Sequence, residues 1–417
     1  MIQKFSVKNC LSIRDEQVLD FVAASDDTYE DIMTVRKNNT RILKIGFIYG
    51  ANASGKTNII LALAWLVKFL AGRSEKNMFA PFLLDDTSRD LPTEMALTFF
   101  VGDIRYDYSL TIQDETVLSE VMYRYPAGRR ALVFDRVWNV ETQSSEINFG
   151  VGLKLNAKQK YTLIGLTQPY SSVLGTYINN NIECNEILDE LQYYFRKQNL
   201  PLLTREANVE DFTNEMLKKS PAIKDFILKI LSQADFNISD ILVKEEKTEL
   251  PEEIWKQLQS MSEFFEGTPQ RSFTENRLFY EHTTASHKEV LAYGAESIGT
   301  NRFYGMATYL FLLSNFSCQM YADEIEASLH YDLLRYFISL FLMNSSDSQL
   351  ICSTHSLLLL DEPFVRRDCI HICRKDSYAA TEVVRASEFG LRKDVSILRA
   401  YREGKLGGLP RLGGLVL

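Results

Sequence analysis

At 417 residues, with a net charge of −9, 46% apolar and 24% charged residues, the chain has the composition of an ordinary globular protein with room for two or three domains. The acidic balance argues against a large nucleic-acid surface, leaving nucleic acid as a possible local partner at Arg129-Arg130, Arg366-Arg367 or the tail residues Arg392, Lys393, Arg399, Arg402 and Lys405. The longest apolar stretches, 59–70 and 306–313, are too short or too interrupted to span a bilayer. Six scattered cysteines, only Cys369 and Cys373 close together, read as reduced thiols of a cytoplasmic protein without membrane partners.

In chain order, the first 25 residues alternate as two strands around Asn9-Cys10-Leu11-Ser12 rather than as a signal peptide. The apolar run 45–49 predicts a buried strand and 58–66 a helix. Between them stands Gly50-Ala51-Asn52-Ala53-Ser54-Gly55-Lys56-Thr57, the phosphate-binding pattern G-x-x-x-x-G-K-[ST] in its strand–loop–helix context. Glycines let successive backbone N–H groups turn onto a phosphate, and the helix start at Asn58 adds partial positive charge. Lys56 reaches the β- and γ-phosphates, and the Thr57 hydroxyl can ligate Mg²⁺. This predicts that ATP is bound. Alternating runs at 93–101, 106–112 and 131–140, with turns at 101–103 and 126–128, predict strands. From Asn181 the period turns helical, through Leu188, Leu191 and Phe195, then Ile223, Ile227 and Ile230. The polar, acidic stretch 244–251 and its continuation to 270 read as a surface excursion or a flexible connection.

Glu296-Ser297-Ile298-Gly299-Thr300 precedes a predicted helix at 303–313. A serine and a glycine at such a start make a second anion site by the same amide and dipole physics. Asp323-Glu324 closes a predicted strand, 316–322, made rather polar by Ser317 and Gln319. An acidic pair there suits a Mg·ATP site: Asp323 for the metal, Glu324 for the attacking water. A further apolar strand, 349–353, runs into Thr354-His355. His282, His287 and His371 have no ligand spacing, and no nucleophile elbow or acidic metal cluster appears, so nuclease or toxin chemistry is not expected in this chain.

This set, in this order, resembles the ATP-binding-cassette ATPases of the SMC/RecF/Rad50 type. The resemblance makes Ser297-Ile298-Gly299-Thr300 the signature motif, Asp323-Glu324 the Walker B pair, Ser328-Leu329-His330 the D-loop and His355 the switch histidine. With 364–368 and 401–410 added, the chain looks like the AAA/ABC-like ATP-binding proteins of bacterial abortive-infection and phage-defence operons, the RloA/AbiL type. That likeness covers roughly 1–115 and 275–410. Two departures stand out: no Q-loop glutamine in the stretch 79–85, and a signature differing from the transporters' Leu-Ser-Gly-Gly.

The resemblance implies an α/β fold, an ABC/SMC-like P-loop NTPase cassette with an inserted β-then-α lid. Its halves would lie at 1–115 and 275–417, with the lid at 116–274. It implies ATP hydrolysis with Mg²⁺ on Thr57 and Asp323, catalysis by Glu324 and His355, and a dimer in which Ser297 and Gly299 complete the partner's site. A separately encoded effector nuclease or toxin is the expected further partner. The alternatives are a RecF/SMC-type DNA repair or tethering ATPase and a non-hydrolysing ATP-bound scaffold.

Overall fold

The computed structural model describes residues 1–73, 79–260, 272–392 and 395–409. Lys393 of the basic tail, Pro410 and the stretch 261–270 lie outside the described residues. The chain divides into two compact units, 1–207 with 312–327 and 334–417, and 208–311 with 328–333.

The first unit opens with β1 (Ile2–Lys8), β2 (Gln17–Asp20), α1 (Glu30–Met33), β3 (Thr34–Lys37), β4 (Thr40–Leu43), β5 (Ile45–Gly50) and α2 (Lys56–Leu70). It continues through β6 (Thr93–Val101), β7 (Ile104–Gln113), β8 (Thr116–Tyr125), β9 (Ala131–Asn139) and β10 (Ser144–Phe149), then α3 (Ala157–Leu166), α4 (Val173–Asn179) and α5 (Glu186–Tyr193). The second unit holds α6 (Val209–Lys219), α7 (Pro221–Gln233), β11 (Asp240–Glu249), α8 (Glu252–Ser260), β12 (Ser272–Thr283), β13 (Lys288–Ala292) and the start of α9 (Ile298–Asn315). The chain then supplies β14 (Gln319–Ala322), α10 (Tyr331–Asn344), β15 (Gln349–Ser353), β16 (Ile370–Lys375), β17 (Thr381–Arg385) and α11 (Ile397–Arg402).

Two sheets organise the first unit. The five-stranded one runs β14-β15-β5-β16-β17, parallel except at β17. A strand buried on both faces must be apolar throughout, and all six residues of β5 are buried at its centre. Ile45, Phe47, Ile48 and Tyr49 have no exposed area, each contributing about 1.5–3 kcal/mol by burial. Beyond β14, Asn199 and Leu203 make parallel bridges to Gln319 and Ala322, and the Tyr321 hydroxyl donates to Asn199 at 2.6 Å. The predicted strand 316–322 is shorter than expected: Phe316 and Ser317 lie outside it, and Gln319 is its first buried residue.

The seven-stranded antiparallel sheet runs β10-β9-β8-β7-β6-β1-β2. Of the N-terminal strands, β1 pairs with β6 and β2 pairs with β1 at the sheet's edge, and the boundary at 115/116 falls at the turn between β7 and β8. Gln349, at the start of β15, ties this sheet to the parallel one: its amide donates to the carbonyls of Ile2 and Leu43 and accepts from the Ile2 N–H. Inside β8 and β9, Glu120 and Arg136 are fully buried. Glu120 accepts from the Tyr108 hydroxyl and the Val173 N–H, and Arg136 donates to the carbonyls of Gln168, Pro169 and Ser171. Burial pushes the Glu120 carboxyl up to about 7, against the pull of Arg136.

In the second unit, residues 244–249 of the stretch expected as an excursion or connection belong to β11, paired with β12 over its whole length, Asp240 to Glu281 and Glu249 to Ser272, and 252–260 form α8. Among the described residues no helix is long and apolar enough to cross a membrane.

Buried His371 carries a pH prediction. Burial, and secondly Arg385, lowers its pKa from 6.5 to about 3. The unfolded chain therefore takes up this proton first, so the contribution is complete above pH 6.5 and is lost as pH falls from there towards 3. The slope is at most about 1.4 kcal/mol per pH unit. Glu120, raised in the folded state, works in the opposite direction between about 4.5 and 7. The difference between the parent and His371→Gln isolates the histidine. Urea midpoints at pH 7.5, 6 and 5 should show the parent losing more stability than the variant; parallel losses would refute a neutral buried His371.

Candidate nucleotide-binding site

The phosphate loop is the turn from β5 into α2, and close packing dictates its glycines. A Cβ on Gly55 would stand 2.0 Å from the Thr381 hydroxyl, and the residue's φ of +102° is one that side chains avoid. A Cβ on Gly50 would meet the Cys373 carbonyl at 2.4 Å and the Ser54 hydroxyl at 2.5 Å. Ala53 also lies at positive φ, +61°. Strand β17 backs the loop. The Thr381 hydroxyl donates to the Ser54 carbonyl at 3.1 Å and shares a hydrogen bond with Ser12 at 2.8 Å. Asn58 donates to Ser12 at 2.7 Å, so the loop, the helix start and the N-terminal turn are fixed together.

Inside the loop, the Lys56 ammonium is buried and donates to the carbonyls of Gly50 and Ala51, both at 3.0 Å. Burial lowers its pKa, while Cys373, Asp323, Glu324 and Glu326 pull it back up. The Ser54 hydroxyl is buried without a hydrogen-bond partner. The first N–H groups of α2, from Lys56 onward, have no acceptor within the helix. Loop amides, an enclosed cation and an orphaned hydroxyl around one concavity fit a polyphosphate.

The acidic side is built at the ends of β14 and β15. The Thr57 hydroxyl donates to Asp323 at 2.8 Å, which brings the two residues expected to hold Mg²⁺ together although 266 positions separate them. Ser353, the last residue of β15, donates to the other Asp323 oxygen and accepts from the Glu324 N–H at 2.8 Å. The Asp323 N–H donates to the Leu203 carbonyl at 2.8 Å. Glu324 sits at φ +49°, a conformation that turns the chain sharply just after the strand. A third carboxylate joins them: Glu326 accepts from the His355 N–H through one oxygen, while its other oxygen is buried and unpartnered. The His355 imidazole is exposed at the end of β15. Partial desolvation, then the Lys56 charge, lowers its pKa and keeps it neutral at pH 7.

Thus Gly50–Thr57, Asn58, Asp323, Glu324 and His355 all belong to the first unit, at or just beyond the C-terminal ends of β5, β14 and β15, three parallel strands of one sheet. Ser297 and Gly299 belong to the second. There Ser297 caps α9, its hydroxyl accepting from the Thr300 N–H at 3.0 Å, and a Cβ on Gly299 would meet the Ser328 carbonyl at 2.8 Å. His330, assigned to the D-loop, is exposed and lies 3.3 Å from Asp332. Ser12, Ser353 and Thr381 went unnoticed in the sequence because a lone hydroxyl carries no motif. For Glu326 the signal in the sequence is its spacing, two residues beyond Glu324.

A family model described as "AAA domain, putative AbiEii toxin, Type IV TA system" matches residues 45–161 and 194–361, more than half of the chain. The chain belongs to this AAA-domain family. Its fold is an α/β P-loop NTPase cassette of the ABC/SMC-like kind, and the family implies nucleotide binding with the Mg²⁺ usual to it. Among solved structures it is similar to the SMC head domain from Thermotoga maritima, at 12% identity and TM-score 0.43, covering 92% of this chain and 98% of that one. It is also similar to the Smc head domain with an extended coiled coil bound to the C-terminal domain of ScpA, derived from Pyrococcus furiosus. That match has 15% identity and TM-score 0.42, covering 96% and 98%. No curated protein is a significant match.

Proposed function

We propose that this AAA-domain protein hydrolyses ATP and acts as the ATP-driven regulator of an abortive-infection system of the RloA/AbiL type, restraining or releasing a separately encoded effector. The observation that carries the reading is the chain Thr57–Asp323–Ser353–Glu324, which joins the phosphate loop to the Asp323 carboxylate and the Glu324 backbone N–H through three hydrogen bonds. Thr57 and Asp323 would hold Mg²⁺, which when bound supplies positive charge against the phosphates. Lys56 neutralises the β- and γ-phosphate oxygens. Glu324, held at the strand end by Ser353, orients water and accepts its proton, and neutral His355 donates a hydrogen bond to the γ-phosphate. Family membership, with a description naming a toxin–antitoxin system, supports the defence role. Co-expression with the neighbouring gene tests it: the pair should block phage growth, and Lys56→Ala should remove protection. Protection without this protein would refute it.

The signature residues would act on the ATP of a second protomer. Because Ser297 caps its own helix, a side chain that cannot cap would cost about 0.5–2 kcal/mol of helix stability. Aspartate caps as well but sets a negative charge against the γ-phosphate. Ser297→Asp should therefore keep its fold and its ATP affinity yet lose hydrolysis. Mixed with Lys56→Ala, it should regain part of the activity, since each heterodimer keeps one intact composite site. Phosphate release that is first order in protein down to monomer concentrations would overturn the shared site.

A further inference from the structure

The basic clusters of this acidic chain differ in what the fold does with them. Arg366 is buried on Asp368, at 3.0 and 2.6 Å, and Arg367 donates to the carbonyls of Leu391, Arg392 and Val395. In the tail, Arg399 and Lys405 both pair with Glu403, at 2.7 and 2.6 Å. Those charges hold the protein together. Arg129 and Arg130 are exposed at the turn from β8 to β9, and among the described residues neither side chain meets a carboxylate. Residues 121–134 hold three arginines and no Asp or Glu.

Arg130 instead lies over the ring of Tyr123, 3.7 Å from its centroid. Beside it Arg105, directly opposite Tyr125 on the neighbouring strand, lies over that ring at 3.8 Å. Tyr123 and Tyr125 are two residues apart on β8, so they share one face and stand roughly 7 Å apart along the strand. Arg105 also reaches Asp107 at 3.3 Å, while its Nε is buried without a partner.

We propose that this sheet face, at Arg105, Tyr123, Tyr125, Arg129 and Arg130, binds single-stranded nucleic acid. A guanidinium laid flat on a tyrosine is fixed as a plane. Its outer side can stack an unpaired base, and the N–H edge of Arg130 can donate to a phosphate in a bidentate pair, whereas that of Arg105 is held by Asp107, directly opposite Tyr123. Two such planes about 7 Å apart suit successive bases of an extended strand. An acidic peptide would use only the N–H edges and leave both planes idle, so the stacked geometry favours nucleic acid. The site is independent of the nucleotide reading, since none of its residues belongs to the phosphate loop or its acidic partners.

Fluorescence anisotropy with a fluorescein-labelled 20-nucleotide oligo-dT, on the full chain at 50 and 200 mM salt, tests the proposal. Saturable, salt-weakened binding is expected, and the same sequence as a duplex should bind more weakly because its bases are stacked away. Arg130→Ala should weaken binding about tenfold. Arg129→Ala should lower the magnitude of the log–log salt slope by about 0.7. Arg130→Lys keeps the charge and the fold; it should keep the salt slope yet bind nearly as weakly as the alanine variant. Circular dichroism and unchanged ATP affinity confirm that each variant is folded. The proposal is overturned by any of four results: no saturable binding at 50 mM salt, equal affinity in Arg130→Ala, full recovery in Arg130→Lys, or displacement by polyglutamate at equal charge. The last would assign the face to an acidic protein instead.

Discussion

Replacing Lys56 by alanine should abolish measurable ATP binding while leaving the fold intact. The ammonium is enclosed between the Gly50 and Ala51 carbonyls, the two contacts that aim it into the loop. Burial lowers its pKa, so in the folded chain the charge is held against a desolvation cost and partly offset by Asp323, Glu324 and Glu326. Removing it leaves two backbone carbonyls beside an open loop, a small structural loss. A polyphosphate would lose its main side-chain cation, with charge-assisted hydrogen bonds of about 1.5–3 kcal/mol each. Calorimetry should therefore show affinity at least about a hundredfold weaker, with the apo melting temperature unchanged or slightly raised. Arginine at 56 should not restore binding, because its larger planar head does not fit the enclosure. Normal affinity in Lys56→Ala would sink the assignment of this loop.

Glu324→Gln should bind ATP normally and fail to turn it over. The backbone of Glu324 is set by its N–H bond to Ser353 and by its left-handed φ of +49°, neither of which depends on the carboxylate. Glutamine has nearly the same shape, so Asp323, Thr57 and the strand end keep their positions. The variant loses a proton acceptor, an effect of roughly 10²–10⁴-fold on rate. With binding intact and cleavage slow, the ATP-held dimer should accumulate and appear on size-exclusion chromatography as an earlier-eluting species. Ser353→Ala offers a contrast: it frees both Asp323 and Glu324, so binding and turnover should fall together. Hydrolysis at the parent rate in Glu324→Gln would show that another group activates the water, and Glu326 would then be the carboxylate to test.

The parts of this protein legible in its sequence are those in which local chemistry and period agree. The run 45–49 reads as a strand because a parallel strand covered on both faces admits no polar residue, and β5 is buried throughout. The phosphate loop reads as one because a tight turn into a helix start needs glycine where a Cβ would strike Thr381, and that need leaves a fixed spacing. Strand β8 escaped because its buried positions, Val117, Glu120 and Met122, do not keep one parity, and a buried glutamate imitates a solvent-facing residue. Its charge is tolerable only beside Arg136, Tyr108 and the Val173 N–H, partners that sequence does not announce. Strand β11 escaped for the opposite reason: pairs such as Lys244 with Arg277 and Glu245 with Asn276 leave no apolar alternation to read, and hydrogen bonding to β12 alone decides it. The motifs named Lys56, Thr57, Asp323 and Glu324 individually. Only the order of the parallel sheet, with β15 between β14 and β5, places Ser353 where one hydroxyl can hold both carboxylate residues in register beside the loop.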